Sequence, residues 1–382
     1  MEPPMPSRRH VLALLAATPF AASCGGNIPD YAAAWRSPGA GEADPRRFAL
    51  AHAILAPNPH NTQPWQVELR GEDEMLLYCD LDRRLPFTDP LDRQITIGFG
   101  CFLELYRIAA AQQGRLAEIT PFPEGAPEGR LDARPLAHVR FSPAANAAPD
   151  SLFAHITARR TNRNDYDAAR APSAAQRTDI ATASAIPGAG HVVGAVAEGE
   201  RVTQIRDLVW RAFDREMRTR GAQEETYRWL RFGAEERARH RDGLYIDVPV
   251  PGVLRALGML DEETVVNPES SANRKVAEEW KRKADTAPAF MWLTTPDDTP
   301  TTRLMAGMAY ARMNLAATAA GLAMHPWSQA LQEYEEMADL YSEAKALLGA
   351  GADQTVQMLV RVGYAEPVEP AARRDIGAFV RA

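Results

Sequence analysis

The chain has 382 residues, enough for one large or two medium domains with a sizeable core. Hydrophobic residues make up 46% and charged residues 24% of it, which is ordinary for a soluble globular protein. The formal net charge of −7 argues against a nucleic-acid-binding scaffold, and no apolar run reaches the length needed to span a bilayer.

The first 24 residues have the layout of an export signal. The segment Ser7-Arg8-Arg9-His10-Val11-Leu12 resembles a twin-arginine signal, and a short apolar core follows over residues 11–22. Cys24 follows Ala21-Ala22-Ser23, which resembles a lipoprotein cleavage box, although a larger aliphatic residue is usual in place of Ala21. We expect twin-arginine export to the periplasm, either with a lipid on Cys24 or with release of the protein. The alternative is a cytoplasmic protein with an irregular tail.

The cysteine content is too low for a disulfide framework. Besides Cys24 only Cys79 and Cys101 occur, and neither a CxxC motif nor a His-rich metal spacing is present, so no metal site is expected. An oxidising compartment permits a bridge between Cys79 and Cys101, which the sequence leaves open.

The predicted elements of the first half follow a linker at residues 25–45, which is rich in Gly, Pro and Ala. A helix starts at Arg46 and stops before Pro57, and a hairpin follows with strands at 65–69 and 75–79. A long apolar helix over 95–113 ends at Gly114, and a strand at 139–141 closes this half, which spans 46–148.

The second half, residues 149–382, repeats this alternation of helices and strands. Its predicted helices are 151–160, 205–217, 227–239 and 301–320, and its predicted strands are 289–293 and 357–364. The glycine-rich stretch 188–194 does not match a dinucleotide-binding motif and is predicted to be a loop. The fold class is therefore α+β.

A shift of 207 residues superposes the two long helices. It places Gly100, Ala109, Ala110 and Gly114 on Gly307, Ala316, Ala317 and Gly321. Small residues at matching points allow close helix contact, so the pattern favours duplication. The alternative is one large α+β domain without a repeat.

The segment Ala56-Pro57-Asn58-Pro59-His60-Asn61-Thr62-Gln63-Pro64-Trp65 is the most distinctive in the chain. Its prolines predict a rigid, extended loop, and the amides of Asn58, Asn61 and Gln63 both donate and accept hydrogen bonds. It resembles the A-P-S-x-x-N-x-Q-P-W loop of the nitroreductase-like flavoproteins, which lies along bound FMN. That resemblance implies that Pro57 and the three amide residues contact the cofactor. The alternative is a turn between a helix and a strand.

A second segment resembles the R-R-S-x-R-x-F/Y motif of the same family. It is Ala158-Arg159-Arg160-Thr161-Asn162-Arg163-Asn164-Asp165-Tyr166. The resemblance implies that Arg159, Arg160 and Thr161 meet the FMN phosphate and that Arg163 approaches the pyrimidine edge. The alternative for such a run of charge is a solvated surface.

Two further segments carry expected cofactor contacts. The tail at Arg373 and Arg374 resembles the basic tail that contacts the phosphate in the family, although a solvated terminus is the alternative. Residues 321–329 resemble the segment whose backbone amides face flavin N5, and Ser328 and Gln329 are the expected contacts. The usual acidic-Gly pair is missing there. No catalytic side chain is assigned.

The resemblance also implies an architecture and an activity. Family members are intertwined dimers with FMN between subunits, whereas here each motif occurs once, in different halves. Two fused nitroreductase-like halves would therefore form an intramolecular pseudo-dimer with one site, and the chain would be a monomer. The implied activity is ping-pong hydride and electron transfer through FMN N5, with a small-molecule donor and acceptor and no nucleic acid.

Two alternatives to turnover remain open. An insertion at about 221–285 has no counterpart in compact nitroreductases, and this resembles the Acg-type twin-domain proteins, which hold FMN under a lid. The alternative function is accordingly FMN sequestration or storage with little turnover. A third possibility is an exported α+β binding protein without flavin.

Overall fold

Two four-stranded antiparallel sheets with helices packed around them make up the fold, which confirms the predicted α+β class. The structure is a computed structural model that describes residues 30–144 and 148–381, so the predicted export signal and Cys24 lie outside it. The α-helices of the described residues are α1 Pro45–Ala53, α2 Arg93–Gln112, α3 Ala174–Ala183, α4 Glu200–Arg218, α5 Arg220–Trp229, α6 Gly233–His240, α7 Pro251–Ala256, α8 Glu262–Val266, α9 Ser271–Asp285, α10 Pro300–Ala319 and α11 Ala338–Leu348. The strands are β1 Trp65–Arg70, β2 Glu74–Cys79, β3 Arg115–Pro121, β4 Ala137–Pro143, β5 Val192–Val196, β6 Leu230–Phe232, β7 Leu244–Ile246, β8 Ala289–Thr295, β9 Ala323–Pro326 and β10 Thr355–Gly363.

Local signals account for the ends of several helices. α1 begins at Pro45 because the Asp44 side chain accepts a hydrogen bond from the Arg46 amide at 2.8 Å, and proline suits the first helical turn. α2 and α10 are followed by Gly114 and Gly321, both with the positive φ that closes a helix end, as predicted.

The two sheets have the same topology. The first has the strand order β1-β2-β4-β3 and the second β5-β8-β10-β9. In both halves a helix precedes two strands, a second helix and two further strands, from α1 to β4 and from α3 to β10. Equal order and equal pairing support the inferred duplication.

The packing of α2 against α10 has a reciprocal contact at its centre. A Cβ atom added to Gly100 would lie 2.0 Å from the Leu304 carbonyl oxygen, and one added to Gly307 would lie 2.0 Å from the Ile97 carbonyl oxygen. The two contacts are related by the same shift of 207 residues. In each contact the glycine of one helix meets a carbonyl of the other helix. Such a reciprocal contact is typical of a two-fold interface, here within one chain.

An insert separates β5 from β8, where the first half has only a short turn between β1 and β2. It spans residues 197–288 and contains α4 to α9 together with the parallel pair β6 and β7. It is longer than the predicted 221–285 because α4 also has no counterpart in the first half. The predicted helix at 227–239 is interrupted by β6, and Gly233 adopts a φ of 76° there.

Several other local predictions are corrected by the structure. Residues 151–160 form a 3-10 turn over Ser151–His155 rather than an α-helix, and the predicted loop at 188–194 contains the start of β5. The predicted linker also proves too long, because residues 30–44 are packed against the protein. Trp35 is only 6% exposed, and its Nε1 donates to the Ala371 carbonyl at 2.7 Å.

The C-terminal tail returns to the first half. The Val67 amide donates to the Phe379 carbonyl at 2.7 Å, and the Arg381 amide donates to the Val67 carbonyl at 2.7 Å. The halves are therefore interleaved in space, although they are consecutive in sequence.

Cys79 and Cys101 are buried free thiols, so the structure does not pair them. In the described part of the chain, no helix is long and apolar enough to cross a membrane. The same residues hold no group of three or more His, Cys, Asp or Glu side chains suited to a metal ion.

Candidate functional site

The loop between α1 and β1 is coiled rather than extended. His60, Asn61 and Gln63 have φ values of 48°, 53° and 51°, which places three of four consecutive residues in the left-handed region. The Gln63 amide donates to Asn58 Oδ1 at 2.8 Å, and Asn58 Nδ2 donates to the Ala56 carbonyl at 3.2 Å. The prolines fix only their own φ, so these side-chain hydrogen bonds decide the path. Such strain is typical of functional loops.

The amides of Asn61 and Gln63 hold the loop to other segments. Asn61 Nδ2 donates to the carbonyls of Gly243 and Ala372 at 3.2 and 3.1 Å. Gln63 Nε2 donates to the Arg241 carbonyl at 2.8 Å, and its Oε1 accepts from the backbone amide of Arg374 at 3.0 Å. These side chains therefore join the loop to the insert and to the C-terminal tail. Pro57 is buried beside them, and Asn58 is half-buried.

Arg373 is committed to the same loop. Its Nε donates to the Ile54 carbonyl at 2.8 Å and its Nη1 to Asn61 Oδ1 at 2.6 Å. The remaining donors reach the carbonyls of residues 55, 56 and 372. All five N–H groups are thus occupied, which leaves none for a phosphate in this conformation. Burial lowers the pKa of Arg373 well below its usual value.

Arg374 is less completely bound than its neighbour. Its Nη2 donates to the Gln63 carbonyl at 2.6 Å, whereas no protein acceptor for its buried Nε lies in the described residues. Burial lowers the pKa of Arg374 to about 10.

Arg159 lies beneath the loop with most of its donors free. It is 2% exposed, and its Nη2 donates to the Leu55 carbonyl at 2.9 Å. Its Nε and Nη1 are buried and have no acceptor among the described residues. Burial lowers the pKa of Arg159 to about 10. A buried guanidinium with two unused donors is an incomplete anion site.

Arg160 and Thr161, the other expected phosphate contacts, follow in the chain. Arg160 Nη1 donates to the Thr157 carbonyl at 2.7 Å and to the Arg159 carbonyl at 2.8 Å. Thr161 is half-buried. They follow Arg159 directly in the chain, and their contact with a phosphate stays a prediction.

Arg163 is exposed and lies where the loop and the Arg segment meet, close enough to His60 for its charge to act on that ring. Solvent reaches its side chain, yet the surrounding protein is close enough to lower the pKa of the guanidinium. It makes no hydrogen bond or ion pair with another described residue. Burial, followed by the charge of Arg163, lowers the pKa of His60 to about 4. The Arg159–Leu55 hydrogen bond, across 104 positions of the chain, also joins the loop to the Arg segment.

Strand β9 forms a second wall of this region. The Asn162 amide donates to the Met324 carbonyl at 3.1 Å, which lays the Arg segment along β9. Arg361 of β10 donates from Nε to His325 Nδ1 at 3.1 Å and from Nη2 to the Asn164 carbonyl at 2.9 Å. Burial and the nearby arginines lower the pKa of His325 well below its usual value, so this ring is neutral.

Ser328 and Gln329 follow the end of β9. Gln329 is held by Glu216, a residue that the sequence analysis did not identify. Glu216 of α4 accepts from Gln329 Nε2 at 3.0 Å and from Gln332 Nε2 at 2.7 Å. Burial raises the pKa of Glu216. The only sequence feature that could have indicated this role is a carboxylate on the apolar face of an amphipathic helix. The sequence does not show which residues hydrogen-bond to that carboxylate. Ser328 is half-buried and starts the 3-10 turn Gln329–Leu331.

The insert lies across this region and is fixed there by polar contacts. Glu225 of α5 accepts from the amides of Phe87 and Thr88, both at 2.9 Å, and from Thr88 Oγ1 at 2.5 Å. Thr226 lies 3.2 Å from His60 Nε2. Asp242 pairs with Arg83 and Arg231, both at 2.8 Å. The insert is therefore attached to the loop and to the segment that follows β2.

The donor set of the region fits an anion. Six arginines of this region have no carboxylate of the described residues within 4.0 Å and so form no ion pair there. They are Arg159, Arg160, Arg163, Arg361, Arg373 and Arg374. Buried cations without a counter-ion are costly, and guanidinium forks match phosphate oxygens. The structure thus brings the two sequence-predicted segments together around unused cationic donors.

Comparisons with known proteins give relatives of one kind. The chain is 30% identical over 348 residues to "Putative NAD(P)H nitroreductase Rv3131" of Mycobacterium tuberculosis, covering 89% of this chain and 92% of that protein. It is 36% identical over 98 residues to "Putative NAD(P)H nitroreductase acg" of the same organism, covering 26% of this chain and 28% of that protein. No protein-family model matches this chain.

Among solved structures, one similar chain is an FMN and NADPH-dependent nitroreductase, NfnB, from Sphigopyxis sp. strain HMH. It is 18% identical with a TM-score of 0.38, and the match covers 61% of this chain and 99% of that chain. A second is the FMN-dependent nitroreductase NfnB from Mycobacterium smegmatis in complex with NADPH, at 17% identity and a TM-score of 0.37, covering 59% of this chain and 94% of that chain.

Proposed function

The chain belongs to the nitroreductase-like family, and from this premise we propose that it is an FMN-dependent oxidoreductase with one cofactor site between its two halves. The relative in Mycobacterium tuberculosis supports the reaction class because the similarity spans nearly the whole of both chains. The named solved structures of FMN-dependent nitroreductases suggest the cofactor.

The observation that carries the proposal is Arg159, which is buried with two donors unused within the described residues. A phosphate would accept from Arg159 and Arg160, with the Thr161 hydroxyl beside them, and would supply the missing negative charge. Arg163, exposed where the loop and the Arg segment meet, would face the ring system. Asn61, Gln63 and Arg373 would act on the cofactor only by holding the loop.

When bound, FMN would supply hydride and electron transfer between a donor and an acceptor, while the protein supplies binding, orientation and charge. Arg163 would favour negative charge that develops near it. His60 and His325 have lowered pKa values, so at neutral pH they add no competing positive charge. One site would serve donor and acceptor in turn, which is the ping-pong order.

The test is anaerobic mixing of the yellow protein with NADH or NADPH, followed at the flavin absorption band. Rapid bleaching supports an oxidoreductase. A protein that purifies colourless and takes up no added FMN would contradict the cofactor assignment and with it the proposal.

A second candidate, FMN sequestration with little turnover, is favoured by the insert. Glu225, Thr226 and Asp242 attach it to the loop and to the segment that follows β2, so access for a nicotinamide would require these contacts to break. A yellow protein that stays oxidised with both nicotinamides would support this candidate over the first.

We further propose that the chain works as a monomeric pseudo-dimer, exported by the twin-arginine route and either released or anchored through Cys24. The repeated topology and the reciprocal glycine contact support the first part. The second rests on the sequence of residues 1–24 alone.

A further inference from the structure

The first described residues form a strap that reaches the arginine cluster. We call residues 30–36 the N-terminal strap. Its Trp35 is 6% exposed, and the indole Nε1 donates to the Ala371 carbonyl at 2.7 Å. The backbone amide of Arg373 donates to the Tyr31 carbonyl at 3.3 Å. The strap is thus fastened to the C-terminal tail that also holds the loop.

Trp35 gathers three guanidinium groups around one ring. The Cζ atoms of Arg160, Arg373 and Arg159 lie 4.7, 5.2 and 5.7 Å from the ring centroid. The three cations repel one another, and no carboxylate of the described residues pairs with them. Indole is the most favourable aromatic face for a cation, so the ring offsets part of that repulsion.

We propose that Trp35 is a positioning residue for the phosphate site, and that docking of the N-terminal strap and binding of FMN stabilise each other. This inference rests on the proposed function. The ring contacts the three guanidinium groups and leaves Arg159 Nε and Nη1 free for an anion. A bound phosphate would neutralise the repulsion that the ring alone offsets only in part. Because coupling between two binding events is reciprocal, each must strengthen the other.

The first test compares FMN affinity across substitutions of Trp35 in the full chain. Trp35→Leu removes the aromatic face and should raise the FMN Kd by about tenfold or more, whereas Trp35→Phe keeps a face and should raise it by about threefold or less. Trp210→Leu is the matched control, since the Trp210 ring lies 6.4 Å from that of Phe213, outside the arginine cluster. Equal affinities of the Trp35→Leu and Trp210→Leu variants would overturn the inference.

The second test needs no substitution and so does not depend on a variant that folds. The Arg36 side chain is 66% exposed, so trypsin can cut after it when the strap lifts. FMN should slow cleavage at this site in the unmodified chain several-fold, and inorganic phosphate should slow it less. Binding of FMN without any change in cleavage would also overturn the inference, while leaving the proposed function intact. Failure of the unmodified chain to bind FMN would instead overturn the proposed function, and the inference with it.

Discussion

Replacing Arg159 with methionine should separate the stability of the empty protein from its affinity for FMN. Burial lowers the pKa of Arg159 to about 10. At about 1.4 kcal/mol for each pH unit below the ordinary pKa of a guanidinium, the unpaired charge costs about 3 kcal/mol. The lost hydrogen bond to the Leu55 carbonyl contributes about 1.5–3 kcal/mol in the other direction. The two effects nearly cancel, and the free energy of unfolding of the empty protein should change by less than about 1.5 kcal/mol.

Binding of FMN responds differently, because the phosphate loses a charge-assisted contact. That loss of about 1.5–3 kcal/mol should weaken binding by about 10- to 150-fold. Denaturant unfolding of the empty protein and a fluorescence titration with FMN measure the two quantities on the same variant.

Arg93→Met provides the matched control, because Arg93 is equally buried but paired with Glu333 at 3.1 Å. Its loss leaves a carboxylate without a partner and should cost about 3–5 kcal/mol of stability. If Arg159→Met destabilises the empty protein as much as Arg93→Met and leaves FMN affinity unchanged, Arg159 is a structural residue and the phosphate assignment is refuted.

Three further outcomes are expected. Gly100→Ala should destabilise the protein by about 2–4 kcal/mol in chemical denaturation, because its Cβ would lie 2.0 Å from the Leu304 carbonyl oxygen. In Gly252→Ala the added Cβ meets no atom within 4 Å, so this variant should be neutral or stabilised by up to about 1 kcal/mol; similar losses in both variants would contradict the close packing of α2 and α10. Glu225→Ala should release the insert and speed FMN dissociation about tenfold or more, as measured by stopped-flow; an unchanged rate would show that the insert does not cover the cofactor. Burial raises the folded-state pKa of Glu216, so its contribution to stability is present below the unfolded pKa near 4.5 and is lost as pH rises through the folded value. Glu216→Gln should flatten that part of the profile of unfolding free energy against pH, and a profile unchanged from wild type would refute the titration of Glu216.

Resemblance and local chemistry predicted the main segments of the site. The loop at 56–65 and the Arg segment at 158–166 do meet, whereas the contacts of Arg159, Arg160 and Arg163 with FMN stay predictions. Only the fold could reveal that Asn61 and Arg373 bind each other across 312 positions of the chain. Their roles in holding the loop depend on that pairing.

The amino-acid sequence by itself determined the long helices, the first hairpin and the glycine stops, because periodicity, capping and backbone freedom act over a few residues. The tertiary structure decided which cations lack a counter-ion, where the insert attaches, that Trp35 contacts three arginines and that Glu216 holds Gln329. Burial and hydrogen-bond pairing depend on contacts between residues far apart in the chain. A single sequence does not show which distant residues come into contact, because only the folded structure brings them together.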